Sequence, residues 1–476
     1  MEEIKLNTET IQILSAEQAW NYHIIPEKVN GEMISFMIDE NHCHGYVKNE
    51  LELLLGKKIV LNKAPSQLIR KALGHYYRKS EITEQKNTQV LKSYEADDLL
   101  IKLIEDAWRL KSSDIHLEIF EEKARIRFRI DGKLMEKYIL NKVEYPALVN
   151  KIKIKSNLDI AEKRLPQDGR MLFDSYASKF DIRVSVLPSL YGEKVVLRLL
   201  SRESVNIDIH SLGFFQDQLD HYLEGIRKTS GIVLISGPTG SGKTTTLYAT
   251  LKILNKTESN ILTIEDPIEY TLEGINQVQM KEGIGLTFSR ALRTFLRQDP
   301  DIIMLGEIRD KETAEMAIRA ALTGHLVLST IHTNSAWGTI SRLTDMGIPA
   351  YLLADTMNLT VAQRLVRLLC NECKVNTSLM QEELSPVMRK KKLPESHYKA
   401  VGCEACHYTG YKGRKAIFEI IPVNDDLSEL IKTGASDIKA LLKKMNIKTL
   451  EENAVQLLAD GETSLEEIYG ILLMNL

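Results

Sequence analysis

Residues 237–244 combine glycines, a lysine and a threonine in an order that suits polyphosphate binding. They fit the pattern G-x-x-x-x-G-K-[ST] and follow an apolar run at 232–235 that predicts a buried strand. The glycines let backbone N–H groups turn inward, while Lys243 can reach the β- and γ-phosphates and Thr244 can bind Mg²⁺. A helix beginning near Lys243 would add its positive end. A glycine-rich turn without a ligand is the alternative, but a full match behind a strand favours a nucleotide. The predicted contacts are Gly237, Pro238, Thr239, Gly240, Ser241, Gly242, Lys243, Thr244 and Thr245.

Glu307 is the first candidate for activating water. It follows a predicted strand at 302–305, and Gly306 stands where a metal-binding Asp is usual beside such a loop. Glu307 can hold Mg²⁺ through water or orient the attacking water as a general base. A salt bridge with Arg309 is the alternative.

A second acidic group follows the predicted strand 261–264. It contains Glu265, Asp266 and Glu269. Carboxylates at strand ends of an open α/β sheet face the ligand crevice, so Glu269 is the second candidate for activating water. An acidic surface loop would explain the same residues without a ligand.

Two histidines, His325 and His332, bracket a predicted strand at 326–330. A shared zinc ion is improbable, because seven residues along a strand span more than about 20 Å. Sensing the γ-phosphate or contributing to an interface suits His332 better. A structural role remains open for each.

Four of the five cysteines form two C-x-x-C pairs, Cys370 with Cys373 and Cys403 with Cys406. Four thiolates at this spacing are typical of a closed tetrahedral zinc site, and unligated cysteines are the alternative. The fifth, Cys43, lies between two histidines, where a polar loop is favoured over a metal site. Cysteine pairs of this kind also suit a reducing cytoplasm better than a disulfide scaffold.

The length of 476 residues predicts about three domains. We place them at 1–92, at 93–220 with mixed helices and strands, and at 221–476, where buried strands alternating with helices predict a parallel sheet. A helix is expected at 96–110, a solvated basic face at 151–155, and mostly helices from 377 onward with an insertion bounded by cysteines. Further strands are expected at 115–119, 124–130 and 180–187.

Overall composition argues against two classes of partner. The net charge of -3 gives no general attraction to nucleic acid. No apolar run approaches the roughly 18 residues needed to span a bilayer, and the acidic N-terminus lacks the apolar centre of a signal peptide. Nucleic acid binding and direct membrane insertion are therefore not expected.

Four motifs together resemble those of the secretion and type IV pilus ATPases. They are the phosphate loop, the Asp-box-like segment 263–270, the Walker B-like segment 296–309, in which glycine at 306 is normal, and the His-box-like segment 323–334. Segments 112–118, 167–170 and 183–198 resemble the domain that precedes the motor. The resemblance implies an α/β fold: a RecA-like P-loop NTPase domain, a smaller α+β domain before it, an N-terminal docking domain and a zinc-binding insertion at about 370–413.

The same resemblance implies a homo-hexameric, Mg²⁺-dependent ATPase that powers a type IV pilus-like or type II secretion filament. Arg183 and Arg198 match arginines that help close the ATP site, which adds them to Glu307, Glu269 and His332 as candidate catalytic residues. Residues 1–92 would bind an inner-membrane platform protein and a cytoplasmic adaptor, which places the chain at the cytoplasmic face of that membrane. The cofactors implied are ATP, Mg²⁺ and Zn²⁺.

Three alternatives stay open within that resemblance. One is a DNA-uptake or conjugation-type motor of the same fold. Another is a scaffold that binds ATP but scarcely hydrolyses it, which the intact acidic and arginine residues disfavour. The third is a retraction motor, which the cysteine pairs and the N-terminal domain disfavour.

Overall fold

The chain divides into two compact units, Met1–Gln89 and Val90–Leu476. The computed structural model describes residues 13–14, 16–30, 33–42, 45–66, 68–69, 72–73, 89–90, 96–174, 179–200, 208–379, 388–433 and 438–474. Cys43 lies outside these residues, as does the polar run at 79–88, which the sequence predicts to be a linker. Within the described ranges, no helix has both the length and the apolar character needed to cross a membrane.

The described residues of the first unit include a three-stranded sheet and two helices whose bounds are complete. These elements are the helices Ala16–Asn21 (α1) and Gly45–Leu55 (α2) and the strands Ile24–Asn30 (β1), Met33–Asp39 (β2) and Lys58–Ala64 (β3). The β2 strand pairs antiparallel with β1 and parallel with β3. Alternate residues Ile34, Phe36 and Ile38 are buried, so one face of β2 supplies the core of this unit.

The second unit begins with an antiparallel sheet that buries one face. After a short strand, Gln89–Val90 (β4), and a helix, Ala96–Arg109 (α3), come Asp114–Ile119 (β5), Lys123–Ile130 (β6), Lys133–Asn141 (β7), the helix Tyr145–Lys155 (α4), Gln167–Asp174 (β8), Lys179–Ser189 (β9) and Gly192–Leu200 (β10). Six of its strands pair antiparallel in the order β7-β6-β5-β10-β9-β8. The helix and strands expected between 96 and 187 are confirmed.

Strand β6 shows how sequence alternation gives this antiparallel sheet (β5–β10) two different faces. Ala124, Ile126 and Phe128 are fully buried in a core shared with α3. Because successive side chains on a strand point to opposite faces, Arg125, Arg127 and the next arginine, Arg129, lie on the other side. The antiparallel sheet therefore presents a charged face opposite its core.

The basic run at 151–155 differs from its predicted solvated face. Lys153 is fully buried on α4, pairs with Glu193 at 2.5 Å and donates to the Glu162 carbonyl oxygen at 2.7 Å. Lys151 stays partly exposed and pairs with Asp97. The lysines alternate with isoleucines in the sequence, but they do not share one exposed face, because the run is helical. Helical geometry turns Lys153 toward the sheet, while Lys151 remains at the surface.

A second sheet, here called the parallel sheet, follows helix Gln216–Arg227 (α5). Its strands are Gly231–Ser236 (β11), Ile261–Glu265 (β12), Asn276–Gln279 (β13), Ile302–Leu305 (β14), Leu326–Ile331 (β15), Met357–Leu369 (β16) and Tyr411–Pro422 (β19), in the order β13-β12-β14-β15-β11-β16-β19. Between them lie the helices Lys243–Leu254 (α6), Phe288–Phe295 (α7), Lys311–Leu322 (α8), Gly338–Asp345 (α9) and Ala350–Thr356 (α10). Only the β16–β19 pair is antiparallel.

The predicted parallel strands are confirmed, and two separate cores cover the two faces of this sheet. The predicted domain boundary at 220/221 falls inside α5, where Leu219 and Tyr222 pack in one of those cores. Strands β16 and β19 were not predicted, because polar residues such as Gln363 and Arg364 in β16 and Arg414 and Lys415 in β19 interrupt their apolar stretches, so neither shows the pattern of a strand.

The cysteine-bounded insertion contains strands, and the helices expected in the C-terminal part follow it. Two short strands, Val375–Ser378 (β17) and Ser396–Lys399 (β18), pair antiparallel before β19. Four α-helices follow β19 among the described residues, at Asp425–Thr433 (α11), Ile438–Lys444 (α12), Leu450–Ala459 (α13) and Leu465–Leu472 (α14).

Replacing Lys153 by methionine is expected to destabilise the protein strongly. The substitution leaves Glu193 buried without its counter-ion, a change that typically costs about 3–5 kcal/mol. Lys151→Met on the same helix removes only a partly exposed pair, worth about 0–1 kcal/mol, and is the matched control. Thermal unfolding of the full chain measures both, and equal shifts of the unfolding midpoint would show that the buried pair has no special weight.

Candidate nucleotide and zinc sites

The phosphate loop joins β11 to α6 and is closely packed against Gln363. Gly237 has φ +148°, and a Cβ on it would lie 2.5 Å from the Gln363 carbonyl oxygen. Gly242 has φ +87°, and a Cβ there would lie 2.9 Å from the Gln363 amide nitrogen. Both positions therefore require glycine for conformation and for space.

The Lys243 side chain folds over this loop. Its ammonium group donates to the carbonyl oxygens of Gly237 at 2.8 Å and Pro238 at 3.1 Å. Burial lowers the pKa of Lys243, and Arg364 lowers it further, while the negative charge of Glu307 acts in the opposite direction. Phosphate oxygens would replace two neutral acceptors with charged ones, so the buried ammonium favours an anionic ligand.

Hydroxyl groups of the loop complete a cradle that fits a nucleotide phosphate and its Mg²⁺. The Ser241 hydroxyl is buried and has no hydrogen-bond partner among the described residues. Thr244 is exposed at the start of α6, so its hydroxyl is available to a ligand. The loop residues Pro238, Thr239 and Gly240 are also exposed, while Thr245 is partly buried.

Sequence reasoning missed two residues of β16 that support this loop. The Gln363 amide donates to the Ser241 carbonyl at 2.9 Å and accepts from the Thr246 hydroxyl at 2.9 Å. Arg364 is buried and donates to the carbonyls of Gln363 and Asn334, both at 2.9 Å. The adjacent Gln-Arg pair was the available signal, since polar residues inside an apolar strand need buried partners.

Glu307 lies at the centre of a charged group at the ends of β12, β14 and β15. It contacts Arg309, and its other oxygen lies 3.4 Å from His332 Nε2. Arg309 also reaches Asp266 at 3.5 Å. Hydrogen bonding to Glu307 raises the pKa of Arg309. The salt bridge considered from the sequence is present, and it holds the carboxylate at the sheet edge.

Backbone hydrogen bonds on both sides fix the position of Glu307. Gly306 N–H donates to the Ile264 carbonyl at 2.8 Å, and Ile308 N–H donates to the Thr330 carbonyl at 2.9 Å. The Thr330 hydroxyl donates to the Gly306 carbonyl at 2.8 Å. Neighbouring strands therefore hold the residues before and after Glu307, which limits the positions its side chain can reach.

Arg183 reaches the second acidic segment from the antiparallel sheet. Its guanidinium donates to the Glu269 carboxylate at 3.1 Å and also to the Ile268 carbonyl oxygen. Arg183 is only 17% exposed, so the pair is partly shielded from water. The two residues lie 86 positions apart in the chain, and their contact joins the antiparallel sheet to the edge that carries the phosphate loop.

Arginines form a row across the charged face of the antiparallel sheet. Strand register places Arg183 directly opposite Arg170 on one side and Arg198 on the other. Arg198 donates to Asp114 at 2.9 Å, which raises the pKa of Arg198, and Arg129 lies 3.4 Å from the same carboxyl group. Like charges directly opposite each other destabilise a sheet, so this row favours a nearby anion. Arg198 is thus paired with Asp114 rather than with the acidic segment.

The two histidines have different surroundings. His325 Nδ1 lies 2.8 Å from the Ala320 carbonyl oxygen and 3.1 Å from the Thr323 hydroxyl, a structural role at the start of β15. His332 is 52% exposed at the other end of that strand, beside Glu307. Only His332 lies with the residues of the candidate nucleotide site.

The four paired cysteines have the spacing of a zinc site. Their Sγ atoms all lie within 4.8 Å of one another, and Cys370–Cys403, Cys373–Cys406 and Cys403–Cys406 are 3.9, 3.8 and 3.8 Å apart. Four sulfurs at about 2.3 Å from Zn²⁺ form a tetrahedron with edges of about 3.8 Å. The donor set and its dimensions therefore fit tetrahedral zinc.

Pairing of β16 with β19 brings the two cysteine pairs together. The register places Leu369, at the end of β16, opposite Tyr411, at the start of β19. Cys370 follows directly and donates its N–H to the Gly410 carbonyl at 2.9 Å. The two pairs therefore meet at the open end of an antiparallel ribbon.

Backbone N–H groups point at the sulfur atoms, as a thiolate site requires. Cys403 and Gly410 donate to Cys406 Sγ at 3.1 and 3.2 Å, and Gly402 donates to Cys373 Sγ at 3.3 Å. Although burial opposes them, the N–H groups of Cys403 and Gly410 lower the pKa of Cys406 to about 7, whereas burial raises the pKa values of Cys373 and Cys403. A low thiol pKa favours the thiolate, which is the metal-binding form.

Comparison with known proteins assigns the chain to a family. The family described as "Type II/IV secretion system protein" matches residues 91–470. The type IV pilus assembly ATPase PilB of Myxococcus xanthus is 40% identical over 498 residues, covering 99% of this chain and 88% of its own. The type II secretion system ATPase E of Vibrio cholerae is 45% identical over 391 residues, covering 81% of this chain and 77% of its own.

Solved structures agree on the fold. The X-ray structure of the Legionella pneumophila ATPase DotB has a TM-score of 0.59 at 21% identity, covering 81% of this chain and 99% of its own. The pilus retraction motor PilT, crystallised with bound ADP, has a TM-score of 0.53 at 26% identity, covering 77% and 95%. The fold, the phosphate loop and these relatives agree: the chain belongs to the type II/IV secretion system ATPase family and is an ATPase.

Proposed function

We propose that this chain works as a homo-hexamer that couples ATP hydrolysis to the assembly of a type IV pilus-like or type II secretion filament. The observation that carries the proposal is the meeting of three groups at one sheet edge: Lys243, Glu307 and the Arg183–Glu269 pair. Membership of the family supports the ATPase part of the proposal. The relatives named for type IV pilus assembly and type II secretion support the filament part.

In this proposal each group at the sheet edge has one role. Lys243 and the loop N–H groups bind the phosphates, and Thr244 holds Mg²⁺, which neutralises charge on the transferred phosphoryl group. Glu307 orients and polarises the attacking water, with Glu269 as the second candidate. Arg183 and Arg198 complete the site on the side of the antiparallel sheet, and His332 contacts Glu307 beside the γ-phosphate.

Residues 1–92 are proposed to dock the ATPase on an inner-membrane platform protein and a cytoplasmic adaptor. The PilB relative matches 99% of the chain, whereas the family match begins only at residue 91. The first unit has its own core, which suits an independent docking module. Docking of this kind would hold the enzyme at the cytoplasmic face of the inner membrane. A DNA motor of the same fold is less favoured, because the net charge is -3.

We further propose that Cys370, Cys373, Cys403 and Cys406 bind one structural Zn²⁺. Asp131, in the turn between β6 and β7, accepts the Gly413 N–H at 2.9 Å and lies 3.6 Å from Arg414 Nε. The C-terminal end of the zinc-binding insertion therefore contacts the antiparallel sheet. Zinc would keep this contact in place during the catalytic cycle.

Phosphate release by the full-length chain tests the site assignments. Lys243→Ala is expected to abolish Mg²⁺-dependent turnover while the protein stays folded, because the buried cation for phosphate is lost. Glu307→Gln should keep ATP binding but lower kcat by about 10²–10⁴, the range for loss of a general base. Glu269→Gln should cost less, since it weakens only the pair with Arg183.

Normal ATP turnover by the folded Lys243→Ala variant would refute the assignment of the phosphate loop as the ATP site. A larger loss for Glu269→Gln than for Glu307→Gln would exchange the roles of the two carboxylates. In the host, the Lys243→Ala chain should support no filament assembly. Filaments at the wild-type level would contradict the proposed coupling.

Metal analysis tests the zinc assignment. The purified chain is expected to contain one Zn²⁺, and Cys403→Ser should contain none, because a structural site needs all four ligands. Cys43→Ser is the control and should retain the metal. Equal zinc content in Cys403→Ser and the wild type would refute the site.

A further inference from the structure

Tyr248 is a buried tyrosine that the proposed mechanism has not used. It lies on α6, five residues after Lys243, and is 1% exposed. Five helical residues correspond to about 7.5 Å along the axis. Its ring packs edge-on against Tyr270, with centroids 4.6 Å apart. The hydroxyl group points toward the acidic segment rather than toward solvent.

The Tyr248 hydroxyl donates to the carboxylate of Glu265. Glu265 is only 3% exposed and also accepts from Thr263 at 2.7 Å and Gln277 at 3.1 Å. Burial, and then the charge of Glu265, raises the pKa of Tyr248, so the hydroxyl keeps its proton and remains the donor. Glu265 thus acts as a buried anchor at the end of β12.

The same hydroxyl oxygen accepts a hydrogen bond from the acidic segment. Glu269 N–H donates to it at 3.3 Å, and the Glu269 side chain receives the Arg183 guanidinium at 3.1 Å. Arg183 also donates to the Ile268 carbonyl oxygen. One hydroxyl therefore joins the helix of the phosphate loop to the segment that contacts the antiparallel sheet.

We propose that Tyr248 is a positioning residue that holds segment 266–269 against the phosphate-loop helix and so presents Glu269 to Arg183. The proposal rests on the proposed function, because it takes the loop at 237–244 as the ATP site. When phosphate draws Lys243 away from the loop carbonyls, any shift of α6 moves the Tyr248 hydroxyl and with it the Glu269 backbone. The nucleotide state would thereby reach the antiparallel sheet.

Tyr248→Phe removes the hydroxyl while keeping the ring and its contact with Tyr270. Lys243 and the loop glycines are untouched, so KM for ATP should change by less than about threefold. Turnover should fall roughly ten- to a hundredfold, because small misplacements of groups around a reacting phosphate are costly. This division between kcat and KM is not expected from a loss of core packing alone.

Tyr222→Phe is the matched control. Tyr222 is fully buried, and its hydroxyl bonds Thr250, also on α6, at 2.6 Å. Tyr222 itself lies on α5, so the substitution removes a buried tyrosine hydroxyl that contacts α6 but leaves the acidic segment intact. Its kcat should stay within about twofold of wild type, as for independent sites. Equal effects of Tyr222→Phe and Tyr248→Phe would overturn the proposal.

A double-mutant cycle with Glu269→Gln tests whether Tyr248→Phe lowers kcat through Glu269. If Tyr248 acts through Glu269 and Arg183, adding Tyr248→Phe to Glu269→Gln should cost much less than Tyr248→Phe costs alone. Additive losses in kcat would overturn the proposal. An inactive wild-type chain would instead count against the proposed function, so the two failures are distinguishable.

Amide hydrogen exchange of the wild-type chain tests the contact without any variant. The Glu269 N–H should exchange slowly, because its only acceptor in the described residues is the buried Tyr248 oxygen. Exchange as fast as that of a free loop amide would overturn the proposal even if Tyr248→Phe failed to fold.

Discussion

Parallel pairing of β12, β14, β15 and β11 is the constraint on which the candidate site depends. The register places the carboxyl ends of these strands at one edge, where the phosphate loop, Asp266, Glu307 and His332 follow. Residues separated by almost a hundred positions thus become neighbours without any long side chain having to reach. A slip in that register would move every group of the site at once.

The second feature that organises the candidate site is its excess of positive charge. Lys243 is a buried cation held by neutral carbonyls, and Arg183 lies in a row of arginines in which Arg183 pairs with Glu269 and Arg198 with Asp114. In the phosphate loop and in the row of arginines, the cations could bind more negative charge than the neighbouring residues provide. Under the proposed function, a nucleotide phosphate that enters between the two sheets would give both cation groups an anionic partner. Binding energy of this kind can hold the sheets together in one nucleotide state and release them in another.

The sequence predicted those functional residues whose partners lie close to them in the chain. The phosphate loop, Glu307 after its strand and the two cysteine pairs all follow from spacing within one segment. It did not reach Gln363, Arg364 or Tyr248, because their partners lie far away in the chain. Lys153 was predicted to be solvated for the same reason: its burial depends on Glu193 across the helix–sheet contact. Strands β16 and β19 were missed because polar residues interrupt their apolar stretches, so neither shows the pattern of a strand.

The claim that the two sheets share one ATP site is tested most directly by the steady-state ATPase activity of full-length Arg183→Gln. Arg183 touches the acidic segment but not the phosphate loop, so ATP binding should persist. We expect kcat to fall by at least about tenfold, a threshold set well below the roughly 10³–10⁵ that an arginine finger contributes to phosphoryl transfer. A wild-type kcat in the folded variant would contradict a site completed by the antiparallel sheet.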